Sequence, residues 1–240
     1  FKADCLKKIM EKSGNAKHRY GMTGSLDDSL TNRTVLEGLF GRCVKFTSTA
    51  QLMEEGHVAK IKINCVVFAH PESDRKKMYR KKYAEEIKFL CQHEKRNKSI
   101  ASLARTRKGN TLVLFNFIEH GKLLYDLMTA DGRKVHFIYG GVAATDRERI
   151  RKIVETEDDA IILASFGTTS TGISINRLHN IVFAHPVKSI VRILQSIGRG
   201  LRLASDKEYL YLYDIADDLS TGPSSMNYAL LHFIERTAIY

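Results

Sequence analysis

The chain has 240 residues, 43% of them hydrophobic, and 38 Lys and Arg against 27 Asp and Glu give it a net charge of +11. That length holds one large domain or two modest ones with ample core, and the lack of any apolar run near about 18 residues excludes a membrane-spanning helix. Cys5, Cys43, Cys65 and Cys91 include no Cys-x-x-Cys pair and the nine histidines show no ligand spacing, which argues against a zinc site and fits free thiols in a reducing, cytoplasmic compartment.

Phe1-Lys2-Ala3-Asp4-Cys5 has neither an initiator Met nor a signal-peptide pattern and reads as the cut edge of a longer protein. A helix is expected around Lys2 to Lys12. Arg19 to Ser25 then reads as a strand running into a Thr/Ser-Gly turn, residues 26 to 60 are turn-rich, and Ile61 to Phe68 is a further strand. Between Arg75 and Lys108 stand thirteen Lys and Arg against Glu85, Glu86 and Glu94, so nearly the whole charge excess sits there. Such a patch attracts a polyanion through counterion release; the alternative is a solvated helix with a mobile basic loop.

From Asn110 onward the pattern is regular. Strands are expected at Thr111–Phe115, Lys134–Tyr139, Ala160–Ala164, Asn180–Ala184 and Glu208–Asp214, with helices at Glu119–Thr129 and Thr145–Glu155 between the earlier ones. This alternation with short turns marks a parallel sheet covered on both faces, and ligands of such sheets sit beyond the carboxyl ends of the strands. A loop dense in hydroxyls and glycine, Ser165 to Ser174, begins at one such end and suits phosphate oxygens. The tail from Ser225 to Tyr240 is an apolar, helix-like run.

The segment with the most chemistry is Gln195-Ser196-Ile197-Gly198-Arg199-Gly200-Leu201-Arg202. At about 100° per residue, Ile190, Ile193, Leu194, Ile197 and Leu201 form one apolar stripe, and Gln195, Arg199 and Arg202 gather opposite. Each glycine costs roughly 1 kcal/mol against Ala in a helix interior, so helix stability alone does not account for both. Arg presents a rigid fork of donors to phosphate and can offset charge on a transferring phosphoryl group. The bland alternative is an amphipathic helix with a solvated basic face.

Gln195-x-x-Gly198-Arg199-x-x-Arg202 resembles motif VI of superfamily 2 helicases and translocases, and other pieces resemble that family in the right order. The loop from Ser165 resembles motif V, which implies that Gly172 and Ser174 face the nucleotide and that Thr168 and Thr169 face the strand; many members have an acidic residue where Ser174 stands. Leu112 to Phe115 with Asn116 and Phe117 resembles motif IV, Tyr139-Gly140-Gly141 resembles the turn after the next strand, and Thr23-Gly24-Ser25 resembles motif III, which couples nucleotide state to strand binding.

Two elements of the family are missing: a Gly-x-x-x-x-Gly-Lys-Ser/Thr loop to cradle triphosphate and an Asp-Glu pair to hold magnesium. In the family both precede motif III. The resemblance therefore implies a truncated first RecA-like lobe at 1–60, a connecting strand and basic helical segment at 61–108, a RecA-like second lobe at 109–225, and the start of a C-terminal helix at 226–240. It implies ATP with Mg2+ held mainly by the missing first lobe in cis, with Arg199 as finger and Arg202 and Gln195 beside it. The whole stretch closely resembles recombination helicases of T-even phages, which implies branched or single-stranded DNA as partner and remodelling of branched DNA in the host cytoplasm: unwinding recombination intermediates, migrating junctions and regressing forks. Two other readings stay open, a nucleic-acid-binding lobe without chemistry and an RNA helicase or double-strand translocase of the same superfamily. Such motors contact phosphates rather than bases.

Overall fold

The computed structural model describes residues 4–22, 30–130, 132–170, 175–188, 198, 200–222, 225–238 and 240. The chain divides into two compact units, Phe1–Glu55 and Gly56–Tyr240. The first contains helices α1 (Asp4–Lys12), α2 (Leu30–Phe40) and α3 (Thr49–Glu54). Ser48 caps α3, its Oγ accepting from the Gln51 amide at 3.1 Å, the usual way a hydroxyl satisfies an orphan donor of the first turn. Arg19 to Met22 have no regular secondary structure, so the strand expected there is not formed. Thr23, Gly24 and Ser25 lie outside the described residues.

The second unit is built on one six-stranded, wholly parallel sheet, β1 (Lys60–Ala69), β2 (Thr111–Phe115), β3 (Val135–Ile138), β4 (Ile161–Ser165), β5 (Asn180–Phe183) and β6 (Tyr209–Asp218). Its strand order is β1-β6-β5-β2-β4-β3, a RecA-like α/β architecture. Every residue of β2 and of β5 is buried, as is all of β4 but Ser165, which is why they read as unbroken apolar runs rather than alternating ones. The edge strand β1 is different. Paired only with β6, it alternates between exposed and half-buried residues along much of its length.

Helices α4 (Glu72–Met78), α5 (Tyr83–Gln92) and α6 (Glu94–Thr106) link β1 to β2, α7 (Ile118–Thr129) links β2 to β3, and α8 (Ala144–Thr156) links β3 to β4. On one face, Ile100, Ala101 and Ala104 of α6 and Leu124 and Met128 of α7 pack on Val113, Phe115, Ile161, Leu163, Val182 and Ile215. Gly200 meets Leu210 and Ile181 on the alternate face. Short α9 (Phe166–Ser170) follows β4 directly, and α10 (Tyr228–Thr237) closes the unit. The apolar tail thus has its partner within the same unit: Ala229 joins Leu90 and Leu219 in a small core, and Glu86 of α5 caps the helix by accepting from the Tyr228 and Ala229 amides at 3.1 and 2.7 Å.

Candidate functional site

Because β2, β4 and β3 are neighbours, the segments leaving their carboxyl ends converge. Asn116 is exposed and Phe117 half-exposed at the start of α7, with the Phe117 ring edge-on to His185 at 5.1 Å. Tyr139 is half-buried against Phe137, and Gly140 is exposed in the following turn. The structure therefore brings four of the expected nucleic-acid residues to one rim. Thr168 differs. It is 3% exposed, and its hydroxyl shares a 2.6 Å hydrogen bond with Ser165 Oγ. That side chain braces the turn from β4 into α9 instead of facing a strand. The Thr169 side chain and residues Gly172 and Ser174 lie outside the described set.

Behind this rim a cavity of about 650 Å³ opens between α5, α7 and the ends of β2 and β5, lined in part by Asn116, Phe117, Cys91, His120 and His185. Burial pushes the Cys91 thiol up to about 12 and, with the Arg96 and His185 charges, pulls His120 down to about 3, so both side chains are neutral near pH 7. Further along the same end, Arg96 Nε donates to Asp217 Oδ1 at 2.7 Å, and His70 Nε2 lies 3.1 Å from the same oxygen. Burial alone would raise the Asp217 pKa; the Arg96 charge and the bonds from His70 and Arg96 outweigh it and hold the carboxylate below its ordinary value.

The arginine segment lies elsewhere. Gln195 and Arg199 are outside the described residues, while Gly198 and Gly200 are helical and Arg202 is exposed just beyond. The Leu201 carbonyl accepts from the Ala59 amide at 2.8 Å, immediately before β1. Arg202 thus emerges at the amino end of the sheet, opposite Asn116 and Tyr139, and the general rule for open α/β sheets does not place it. The two glycines also part company. A Cβ on Gly200 would stand 2.6 Å from Leu210 and 2.8 Å from Ile181, whereas one on Gly198 meets nothing. Close packing on the sheet accounts for Gly200. Lys207, absent from the sequence reading, fixes this segment by donating to the Gly200 and Asn176 carbonyls at 2.9 and 2.8 Å, and burial lowers its pKa to about 8.

The basic segment from Arg75 to Lys108 is neither a uniform patch nor a mobile loop. It forms α4, α5 and α6, with Lys76, Lys81 and Lys98 paired to Glu72, Glu85 and Glu94. Arg96 is fully buried, and Arg107 is drawn onto the Tyr213 ring at 5.5 Å. Burial withdraws Arg96 from any polyanion, while Arg107 is only part-buried. No helix among the described residues is long and apolar enough to cross a membrane.

The second unit is thus a parallel RecA-like sheet with Arg202 exposed at one end and Asn116, Phe117, Tyr139 and Gly140 at the other. Residues 94–204 match the helicase conserved C-terminal domain. The chain is 36% identical over 244 residues to the ATP-dependent DNA helicase uvsW of Enterobacteria phage T4, which covers 97% of this chain and 49% of that relative. The crystal structure of T4 UvsW superposes with a TM-score of 0.67 at 33% identity, over 88% of this chain and 43% of the other. The ATP-dependent Type ISP restriction-modification enzyme LlaBIII, solved bound to DNA, shares the fold alone: TM-score 0.58 at 18% identity, over 92% of this chain and 16% of that one. These matches show that the chain carries the helicase conserved C-terminal domain over residues 94–204 and is similar to the T4 helicase. It spans about half the length of the T4 helicase it matches.

Proposed function

We propose that this chain supplies the second motor lobe of an ATP-driven DNA helicase that remodels branched DNA, and that its first unit, with Thr23-Gly24-Ser25, is the end of the first lobe. ATP and Mg2+ are held mainly by the remainder of that first lobe, in cis. Arg199 reaches the γ-phosphate, with Gln195 and Arg202 beside it; Gly172 and Ser174 approach the nucleotide from the loop after β4. DNA runs over Asn116, Phe117, Tyr139, Gly140 and Thr169, with Thr168 holding the loop beneath. The observation that carries this reading is the exposure of Arg202 at the amino end of the sheet, on a segment pinned by Gly200 and Lys207. An arginine that must act on a nucleotide held by another lobe needs a fixed stem and a free head. Closure of the two lobes on ATP and their opening after hydrolysis would then shift the bound strand, a hinge-type cycle.

The test is Arg199→Ala in the intact, longer protein. DNA-stimulated ATP turnover is expected to fall about 10³-fold or more, the scale of an arginine finger, while branched-DNA binding stays within about twofold, since one remote phosphate contact is not lost from DNA. Turnover unchanged within a few-fold would contradict the motor reading and leave a DNA-binding lobe without chemistry. Stronger stimulation by RNA than by DNA would favour an RNA helicase instead.

A further inference from the structure

Three side chains that are scattered in sequence meet behind the rim. Cys91 lies near the end of α5, His120 in the first turn of α7 and His185 just past β5. All three are buried, and one potential ligand atom from each lies within 4.8 Å of the others. Cys91 Sγ and His185 Nδ1 are hydrogen-bonded at 3.4 Å. A tetrahedral ion held at about 2.3 Å by sulfur and about 2.0 Å by imidazole nitrogen sets that edge at roughly 3.5 Å. This pair already stands at ligand spacing.

The orientation of His120 is a second, independent observation. The Asn97 side-chain amide donates to the Cys91 carbonyl at 2.8 Å, which turns its oxygen toward His120 Nε2 at 3.1 Å. An amide oxygen only accepts, so His120 carries its proton on Nε2 and a lone pair on Nδ1. That Nδ1 is buried and has no partner among the described residues. Metal-ligating histidines typically donate their other ring N–H to an oxygen that fixes the ring, and Asn97 does this here. In the other cluster of possible ligands, His70, Asp74 and His93, both nitrogens of His93 are engaged, Nε2 with Asp74 at 2.9 Å and Nδ1 with the Arg96 amide at 3.1 Å.

We propose that Cys91, His120 and His185 bind a single zinc ion, with the fourth position open to the cavity beside Phe117. One thiolate and two neutral imidazoles suit Zn2+ and not the hard ions Mg2+ or Ca2+. Binding displaces the Cys91 thiol proton to solvent, because the thiolate is the ligand. The ion ties α5, α7 and β5 together directly beneath the Phe117 ring.

Cobalt titration of the metal-free 240-residue chain tests this, since tetrahedral Co2+ bound by a thiolate gives visible d–d bands and a near-ultraviolet sulfur-to-cobalt band. One Co2+ per chain is expected, displaced by one Zn2+. Cys91→Ser should abolish the sulfur band, and His120→Gln should weaken Zn2+ binding more than about 100-fold, beyond the loss typical of an outer-shell change. Asn97→Leu should weaken it about 10- to 100-fold. Circular dichroism and melting of the metal-free variants establish that each is folded. The proposal is overturned by no saturable Co2+ spectrum in the folded wild type, by a sulfur band that survives in Cys91→Ser, or by binding lost in His93→Gln but kept in His120→Gln.

Discussion

The two ends of the sheet spend their polar side chains differently. At the amino end they tie backbone together. Arg133 donates to the carbonyls of Ala104, Arg105, Arg107 and Gly109 at 2.9 to 3.1 Å, closing the last turn of α6. Asn110 donates to the Val154 and Glu157 carbonyls and accepts from the Ala160 amide. Lys207 holds Gly200, and from this frame Arg202 projects into solvent. At the carboxyl end the polar groups are buried, His120 against a cavity, and His70 Nδ1, Arg96 Nη1, His120 Nδ1 and Asp217 Oδ2 have no partner among the described residues. A frame suits a residue that must be aimed at a ligand held elsewhere; an end with unspent donors and acceptors suits one that engages ligands of its own.

The largest effect should come from the carboxyl end. Asp217→Ala leaves the Arg96 cation and His70 buried without their acceptor, and removing one member of a buried pair costs about 3–5 kcal/mol. Urea unfolding reads this directly, and a loss under about 1 kcal/mol would mean that water already solvates this end. At the amino end Asn110→Ala strands three backbone groups and should cost about 2–3 kcal/mol, with ATP turnover of the folded intact protein unaltered. A fall in turnover there would break the division of labour. Gly200→Ala should cost about 1–3 kcal/mol by overpacking on Leu210 and Ile181, while Gly198→Ala at its open position should stabilise, or cost a few tenths at most.

The smallest effect is a pH dependence. The Asn110 amide donates to His179 Nδ1 at 3.1 Å, and burial lowers the pKa of that ring. Below about pH 6.5 the unfolded chain takes up a proton that the folded ring resists. Stability is therefore fully present above that pH and declines as pH falls toward the folded value. Denaturation series from pH 7.5 to pH 5 should show a shallower decline in His179→Gln; an unchanged slope would place the acid sensitivity elsewhere.

Much of this architecture was legible in the chain because the interior strands are buried on both faces, so the runs at Thr111–Phe115 and Ile161–Ala164 could not be mistaken for amphipathic ones. Gly200 was legible as unusual, though packing and not phosphate explains it. Long-range pairings were not legible. Arg96 sits in a basic run that looks solvated, yet it finds Asp217 more than a hundred residues later. Glu86 looks like a surface acid of α5 and is the cap of α10. Cys91, His120 and His185 come from three separate elements, so no ligand spacing exists to be read. Thr168 shows the same limit in miniature: hydroxyl density marked the loop, but its bond to Ser165 is a matter of three dimensions.

The claim that the two ends serve two ligands is tested most directly by titrating DNA against ATP turnover in the intact protein, comparing Asn116→Ala/Phe117→Ala with Arg202→Ala. The carboxyl-end pair should raise the DNA concentration for half-maximal stimulation about tenfold, the scale of one lost stacking contact, with turnover at saturating DNA nearly unchanged. Arg202→Ala should instead lower saturated turnover about 10²-fold, as for loss of a transition-state donor, at an unchanged half-saturating DNA concentration. If both variants moved the same parameter, or each moved the other's, the separation of the two ends would be contradicted.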